Sequence, residues 1–372
     1  MKKITILFIL FLTFSMIIFP QQAFSAAKDG LELWWNIVLP SLLPFFICSE
    51  LLLALGFIEK LGQKLEFIMR PLFNLPGTAS LALVMGYCSG FPTGAAITAS
   101  LRKENLISQH EGERLIAFTN NPSPLFILVG VATGILASPA SGFLLLAINY
   151  SLNILIGIIL GCLSLRKEKN SKLSYQNYRQ KLNRMTHNHT IGQLLKSAAQ
   201  KAGMNIAIIG CYLVFFSVLS KTIQVSGLEA CLLKPLISLG LDPQIAQAFS
   251  KGFWEMTLGI KQISSSALTL GIKLPICSLF LAFGGLSVYA QVAAMVSDTD
   301  IGVKTYLICR LLHSAAAFAI SILLCPLISL PTMAGKNILL LPNYLNSLCF
   351  LFLSLFLLWF GYKLSNKLIH RL

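Results

Sequence analysis

Residues 86–98, GYCSGFPTGAAIT, set a helix-breaking knot inside an otherwise apolar run. Gly90 and Gly94 free the backbone, while Pro92 removes an amide donor and pushes Phe91 out of the helical region. A helix entering this stretch must stop there. In hydrocarbon, opened backbone persists only where protein or a polar cavity satisfies the freed N–H and C=O groups. A break at that depth is therefore a proline kink in a spanning helix or a site.

Composition places the run in hydrocarbon. Of 372 residues, 55% are hydrophobic and 12% charged, which reads as an all-α polytopic membrane protein and excludes a soluble globule. The net charge of +15 bears on topology. Its densest cluster sets Arg166, Lys167, Lys169, Lys172, Arg179, Lys181 and Arg184 against the single acid Glu168, and reads as a cytoplasmic loop. No nucleic-acid-binding pattern accompanies it, so no nucleic-acid partner is expected. Nine cysteines without a CxxC pair read as packing residues.

Along the chain, Lys2 and Lys3 precede an apolar run over 4–20, then QQAFSAAKDG, which together read as a cleaved signal peptide or a first span. A second run, 31–58, is about 42 Å long if helical, with Pro40 and Pro44 predicting bends and Glu50 as its one acid. Residues 59–74 alternate charge and bulk as an amphipathic helix on the inner surface. The run 77–101 then has arms of about 18 and 14 Å, each too short for a core of about 30 Å. If it crossed fully, the basic cluster would fall outside; a re-entrant hairpin with SGFPTG at its tip puts that cluster inside.

A second break, TNNPSP at 119–124, interrupts the apolar run 115–136. Asn120, Asn121 and Ser123 bring donors and acceptors, and Pro122 and Pro124 forbid regular helix. Such buried groups need partners, from neighbouring helices or from a ligand.

The two halves echo each other at an offset of 165, which takes Gly94 to Gly259 and Phe118 to Phe283. KGFWEMTLGIKQISSS answers MGYCSGFPTGAAITAS, AFGGLSVYAQ answers AFTNNPSPLF, and KPLISL answers RPLFNL. Each unit holds an odd number of crossings, so the second copy sits upside down. The expected organisation is a signal-like or first membrane segment over 1–30, repeat 1 over 31–165 and a basic cytoplasmic loop over 166–190. Repeat 2 over 191–330, and a terminal membrane helix with a basic tail over 331–372, complete it. Within repeat 2 the hairpin is expected over 244–270 with its tip at 255–259, and the broken span over 274–296.

PSLLPFF from Pro40, GYCSGFPTGA from Gly86, SQHEGERLIAFTNNPSPLF from Ser108 and FGGLSVYAQ from Phe283 carry a resemblance to the YlbJ family of sporulation integral membrane proteins. That family sits within the wider set having the nucleoside-transporter and iron-transporter gate domain. The resemblance covers nearly the whole chain; WEMTLG replaces the GFPTG chemistry in the second half. It implies an endospore-forming bacterium, an architecture like that of concentrative nucleoside transporters, and a role in moving dipicolinate across the mother-cell-derived outer forespore membrane.

A flat dianion suits broken helices, whose N-termini present free amides and partial positive charge. The reading is a secondary carrier with a central site near Thr93, Gly94, Asn120, Asn121, Ser123, Glu255, Thr257, Ser287 and Gln291. Arg310 supplies cationic help or reaches to the inner surface, and Lys261 lies beyond the second tip. Glu255 would repel a dianion, and reads as a coupling group or as the partner of Lys251 or Lys261. Partners are the lipid bilayer and a small anionic solute; a homo-oligomer is compatible, no cofactor is expected, and the coupling ion stays open. HExxH, GxSxG and a phosphate-binding Gly loop are missing, so no enzyme is expected. The alternatives are a non-transporting scaffold for spore cortex and envelope assembly, or a nucleoside-type solute transporter.

Overall fold

A computed structural model describes residues 2–55, 57–164, 190–238 and 240–325. The terminal membrane helix with its basic tail, and the basic loop apart from Thr190, lie outside the described residues. Every regular element among those described is helical, in agreement with an all-α polytopic membrane protein.

Helix α1 (Lys2–Ile18) turns by 104° into α2 (Pro20–Leu33), where Pro20 takes a first-turn position that needs no donor. The polar stretch QQAFSAAKDG is helical, and α2 carries the chain past residue 30 without a break. It runs on through a π-helical segment, Trp34–Val38, into α3 (Leu39–Ala54). The wider turn lies just ahead of Pro40, whose ring crowds the turn before it. Helix α4 (Phe57–Phe73) supplies the expected amphipathic segment.

The first break falls where Gly and Pro require it. Helix α5 (Ser80–Ser89) ends at Gly90, and α6 (Thr93–Lys103) starts after Pro92 and packs back against α5. Helix α7 (Gln109–Thr119) opens with a Ser108/Glu111 capping box and ends at Asn120. A π-helical arm, Phe126–Ile135, continues after the second break, followed by α8 (Pro139–Leu163). In the other half come α9 (Ile191–Val225) and α10 (Leu228–Ser238), then α11 (Pro243–Trp254) and α12 (Met256–Ser264), which pack on each other across a one-residue break at Glu255. Helices α13 (Leu270–Phe283) and α14 (Gly285–Val296) instead continue as one broken span of 27 residues, and α15 (Lys304–Leu324) follows.

The order long helix, short helix, hairpin, broken helix and span thus occurs twice. Among the described residues, Pro139–Leu163, Ile191–Val225, Leu270–Val296 and Lys304–Leu324 are long and apolar enough to cross a membrane. Two sharply bent pairs, Ile6–Ile18 with Pro20–Val38 and Leu65–Phe73 with Gly77–Ser89, raise the number to as many as 6.

Helix α9 lies along α2 and α3. Trp34 donates its indole N–H to Ile206 O at 2.9 Å, and Gly210 makes room for that ring. Glu50 meets Lys201 of α9 at 3.9 Å.

Contacts tie the elements together at the two ends of the bundle. At one end Arg102 gives two hydrogen bonds to Asp300, at 2.8 and 2.9 Å, Lys103 reaches Asp298 at 3.1 Å, and Gly302 N–H donates to Glu113. The Arg102 guanidinium holds the exposed Asp300 carboxyl below its ordinary range, so the pair stays charged at neutral pH. Arg114 donates to the carbonyls of Phe73 and Asn74, and Asn74 donates to Ser164 O. At the other end Ser264 Oγ donates to Ile135 O at 2.7 Å. The span 270–296 separates these ends by about 40 Å.

Candidate functional site

Four backbone breaks meet at one place. Gly90, with φ of 81°, sits so close to the second break that an added Cβ would lie 2.7 Å from Ser123 N. Gly285, with φ of 76°, does the same for the other half, facing Glu255 Cα and Met256 N at 3.1 Å. Both positions need glycine for its left-handed freedom and for close approach. The two hairpin tips are thereby pressed onto the two broken spans. Between them lies a small hollow, also lined by Val38 and Leu42 and by Ile209 and Leu213 of α9.

Five of the residues singled out in the sequence line this hollow: Ser123, Glu255, Thr257, Ser287 and Gln291. Ser89, Gly90, Phe91 and Pro122 join them. Gln291 Nε2 donates to Ser287 Oγ at 3.4 Å, one turn apart on α14. Ser123 Oγ accepts from Phe126 N–H at 3.2 Å, which caps the π-helical arm. Glu255 is 3% exposed and caps α12: one oxygen accepts from Leu258 N–H at 2.8 Å, the other from Thr257 Oγ at 3.0 Å. It pairs with neither Lys251 nor Lys261 there; Lys251 donates instead to Gln262 Oε1 at 2.6 Å.

The remaining five stand behind the wall and build it. Asn120 Oδ1 accepts from Ala95 N–H at 2.9 Å, so a side chain from the second break caps the helix that leaves the first. Its amide donates to Ile116 O at 2.8 Å. Gly94, with Gly86, admits the Thr119 carbonyl between the hairpin arms. Thr93 lies in the first turn of α6 beside them. Asn121 accepts from Asn153, which also donates to Phe118 O at 2.6 Å.

Arg310 differs most from expectation. At 1% exposure it does not reach the inner surface. Its Nη1 donates to Asn120 O at 3.0 Å and to Ala282 O at 3.4 Å, and its Nη2 to Ala117 O at 2.8 Å and to Asn153. These carbonyls end α7 and α13. Two half-helix C-termini, each about half a negative charge, thus face one guanidinium. That cation is committed to backbone and does not line the hollow.

Sequence reasoning passed over α8, whose Asn149 and Asn153 share one face. Asn149 donates to Ser278 Oγ at 3.2 Å, and its carbonyl meets His313 Nε2 at 3.0 Å. Tyr150 OH lies 2.9 Å from Tyr87 O and 3.0 Å from Pro122 O, tying the first hairpin to the second break. The available signal was two Asn four residues apart in an apolar helix, a spacing that stacks them on one side. Together these bonds hold unwound backbone around a small, largely apolar hollow, to which the first turns of α12 and α14 contribute Met256, Thr257, Ser287 and Val288.

A family model described as nucleoside recognition, Gate, matches residues 36–153, the stretch containing the first hairpin and the first broken span. The sporulation integral membrane protein YlbJ of Bacillus subtilis (strain 168) is 37% identical over 330 residues, which cover 85% of this chain and 81% of that protein. No solved structure matches.

Proposed function

The chain belongs to the family of the sporulation integral membrane protein YlbJ, and from that premise we propose that it is a secondary carrier moving a small anionic solute by alternating access. The observation that carries this reading is the meeting of both hairpin tips and both broken spans on one hollow, in whose largely apolar wall Ser123, Glu255, Thr257, Ser287 and Gln291 are set. A scaffold has no need for four interruptions at one point; a carrier needs unwound backbone around its solute. The twice-used order of elements supports two inverted repeats that rock about the hollow. Dipicolinate is the proposed solute: its two carboxylates are complementary to N-terminal half-helix ends, with Ser123, Thr257, Ser287 and Gln291 orienting it. The proposed location is the outer forespore membrane of an endospore-forming bacterium. Glu255 serves as the cap that keeps α12 in register with the hollow.

One observation favours the scaffold. The side chains of Asn120, Ser123 and Glu255 already cap the helix ends that a ligand would otherwise occupy. Flux separates the two readings. Proteoliposomes containing the purified chain should take up radiolabelled dipicolinate, with uridine a poor competitor. Gln291→Ala and Ser287→Ala should each lower uptake about tenfold, as for loss of one hydrogen bond to a charged group, while melting is unchanged. Absence of uptake by the folded wild-type chain would leave the scaffold.

A further inference from the structure

Helices α6 and α14 lead away from the hollow together. Ser89, Gly90 and Phe91, just ahead of α6, and Ser287, Val288 and Gln291 of α14 line it. The two helices, about 16 and 18 Å long, pack against each other from there. Ala95 and Ala99 of α6 and Val292 and Val296 of α14 belong to one apolar cluster, none of them more than 4% exposed. This seam separates the hollow from the end of the bundle that holds the Arg102–Asp300 pair.

At that end the loop 297–303, which joins α14 to α15, reaches across to α6 and α7. Asp300 takes two hydrogen bonds from the Arg102 fork and Asp298 one from Lys103, while Gly302 N–H donates to Glu113 Oε1 at 3.2 Å. Ile301, buried between the two anchoring points, presses on Gly112, where an added Cβ would lie 2.7 Å from Ile301 Cδ1. At its other end α14 begins on two successive left-handed glycines, Gly284 and Gly285, and paired glycines let backbone angles change without a Cβ penalty. Helix α14 is thus a rod with a pivot at the hollow and a fastening at its far end. Of the four ion-pair side chains all but Arg102 are about half-exposed or more. Such pairs exchange readily for water, so the fastening holds a position without making it permanent.

We propose that loop 297–303 is a clasp. Fastened, it holds α14 on α6 and shuts the hollow off from this end of the bundle; released, it lets α14 swing about Gly284 and Gly285 and parts the seam. Its use as a gate for a solute rests on the carrier reading; the clasp and the swing do not.

The alkylation rate of a cysteine placed in the seam tests this, on the full chain in phosphatidylcholine nanodiscs, with a water-soluble maleimide and a cysteine-free background. Val292→Cys reports the seam, and Ala317→Cys, at an equally buried position in α15, reports general loosening. Asp298→Asn combined with Asp300→Asn removes both ion pairs and leaves the Arg102 bond to Ile107 O, which braces the turn between α6 and α7. That double variant should speed alkylation at 292 about fivefold or more, as for loss of two exposed ion pairs, with the rate at 317 within about twofold. Salt at about 1 M should speed the reaction at 292 in the wild-type clasp and leave the double variant unchanged. Arg102→Asp alone should also speed it, and adding Asp300→Arg should bring the rate back to within about twofold. A rate at 292 that ignores the double variant would overturn the clasp. An equal rise at 292 and 317 would overturn it too, since the pairs would then be ties of the whole fold. No solute is present and no flux is read, so a chain that transports nothing still reports on the clasp.

Discussion

A guanidinium at 1% exposure in a membrane-spanning helix is stable here because of what surrounds it. Arg310 meets the last carbonyls of α7 and α13, groups that a helix end leaves without partners. Its planar fork reaches several of them at once, where a lysine delivers a point charge to fewer. Arg310→Leu leaves buried carbonyls unsatisfied at about 1–3 kcal/mol each, enough to exhaust the margin of a typical fold. That variant should fail to purify as a monodisperse species, while Arg310→Lys should purify with a lowered melting midpoint in detergent. Equal melting of Arg310→Leu and wild type would show that the carbonyls have other partners. The sequence marked Arg310 and Asn120 as polar groups at membrane depth, yet gave no hint of their partners. Those partners are backbone atoms, which every residue carries and no residue type reveals.

Breaks in helices were far more legible than the bonds that hold them. SGFPTG and TNNPSP announce themselves because Pro and Gly act on the local chain, whatever surrounds it. The tip at Glu255 has neither residue at the break and became readable only through its offset of 165 from Gly90. Physically it forms because Glu255 takes an extended conformation and caps α12 itself. The π-helical character of Phe126–Ile135 had no signal, since FILVGVATGI is ordinary apolar sequence. This account makes glycines at the breaks unequal to glycines elsewhere. Gly90→Ala and Gly285→Ala impose a left-handed backbone on a residue with Cβ, at about 1–2 kcal/mol, and also drive that Cβ against Ser123 or Glu255 backbone. Both should lower the melting midpoint and the flux together. Gly203 of α9 has nothing within 4 Å of the added atom. Gly203→Ala should leave the midpoint unchanged or raise it, by about 0.5–1 kcal/mol of helix propensity. A Gly90→Ala variant as stable as Gly203→Ala would mean that the tip does not press on the second break.

At the scale of the molecule, the charge pattern and the contacts bear on the same expected orientation by independent routes. By composition alone, the positive-inside rule expects the basic cluster over 166–184 on the cytoplasmic face. Geometry places the entry to that loop, Ser164, beside Asn74, with Arg114 bonded to the same turn. Arg102 and Lys103 end α6 on the way to that loop and bind Asp300 and Asp298, which follow the other broken span. Had either hairpin crossed fully, the groups now paired would lie about 30 Å apart on opposite faces. The packing of α6 back on α5, together with these contacts, is what a hairpin over residues 77–101 would produce, on grounds that owe nothing to the charge rule. It follows that Lys103 lies towards the end of the bundle that holds Ser164, the last described residue before the basic loop, and Ser265, which follows α12, lies towards the other. In a cysteine-free background, Ser265→Cys should react with an impermeant maleimide added outside right-side-out vesicles. Lys103→Cys and Ser174→Cys should react only after permeabilisation. Labelling of Ser265→Cys and Ser174→Cys from one side would break the link between the hairpins and the orientation, and with it the pairing of two opposed units about the hollow.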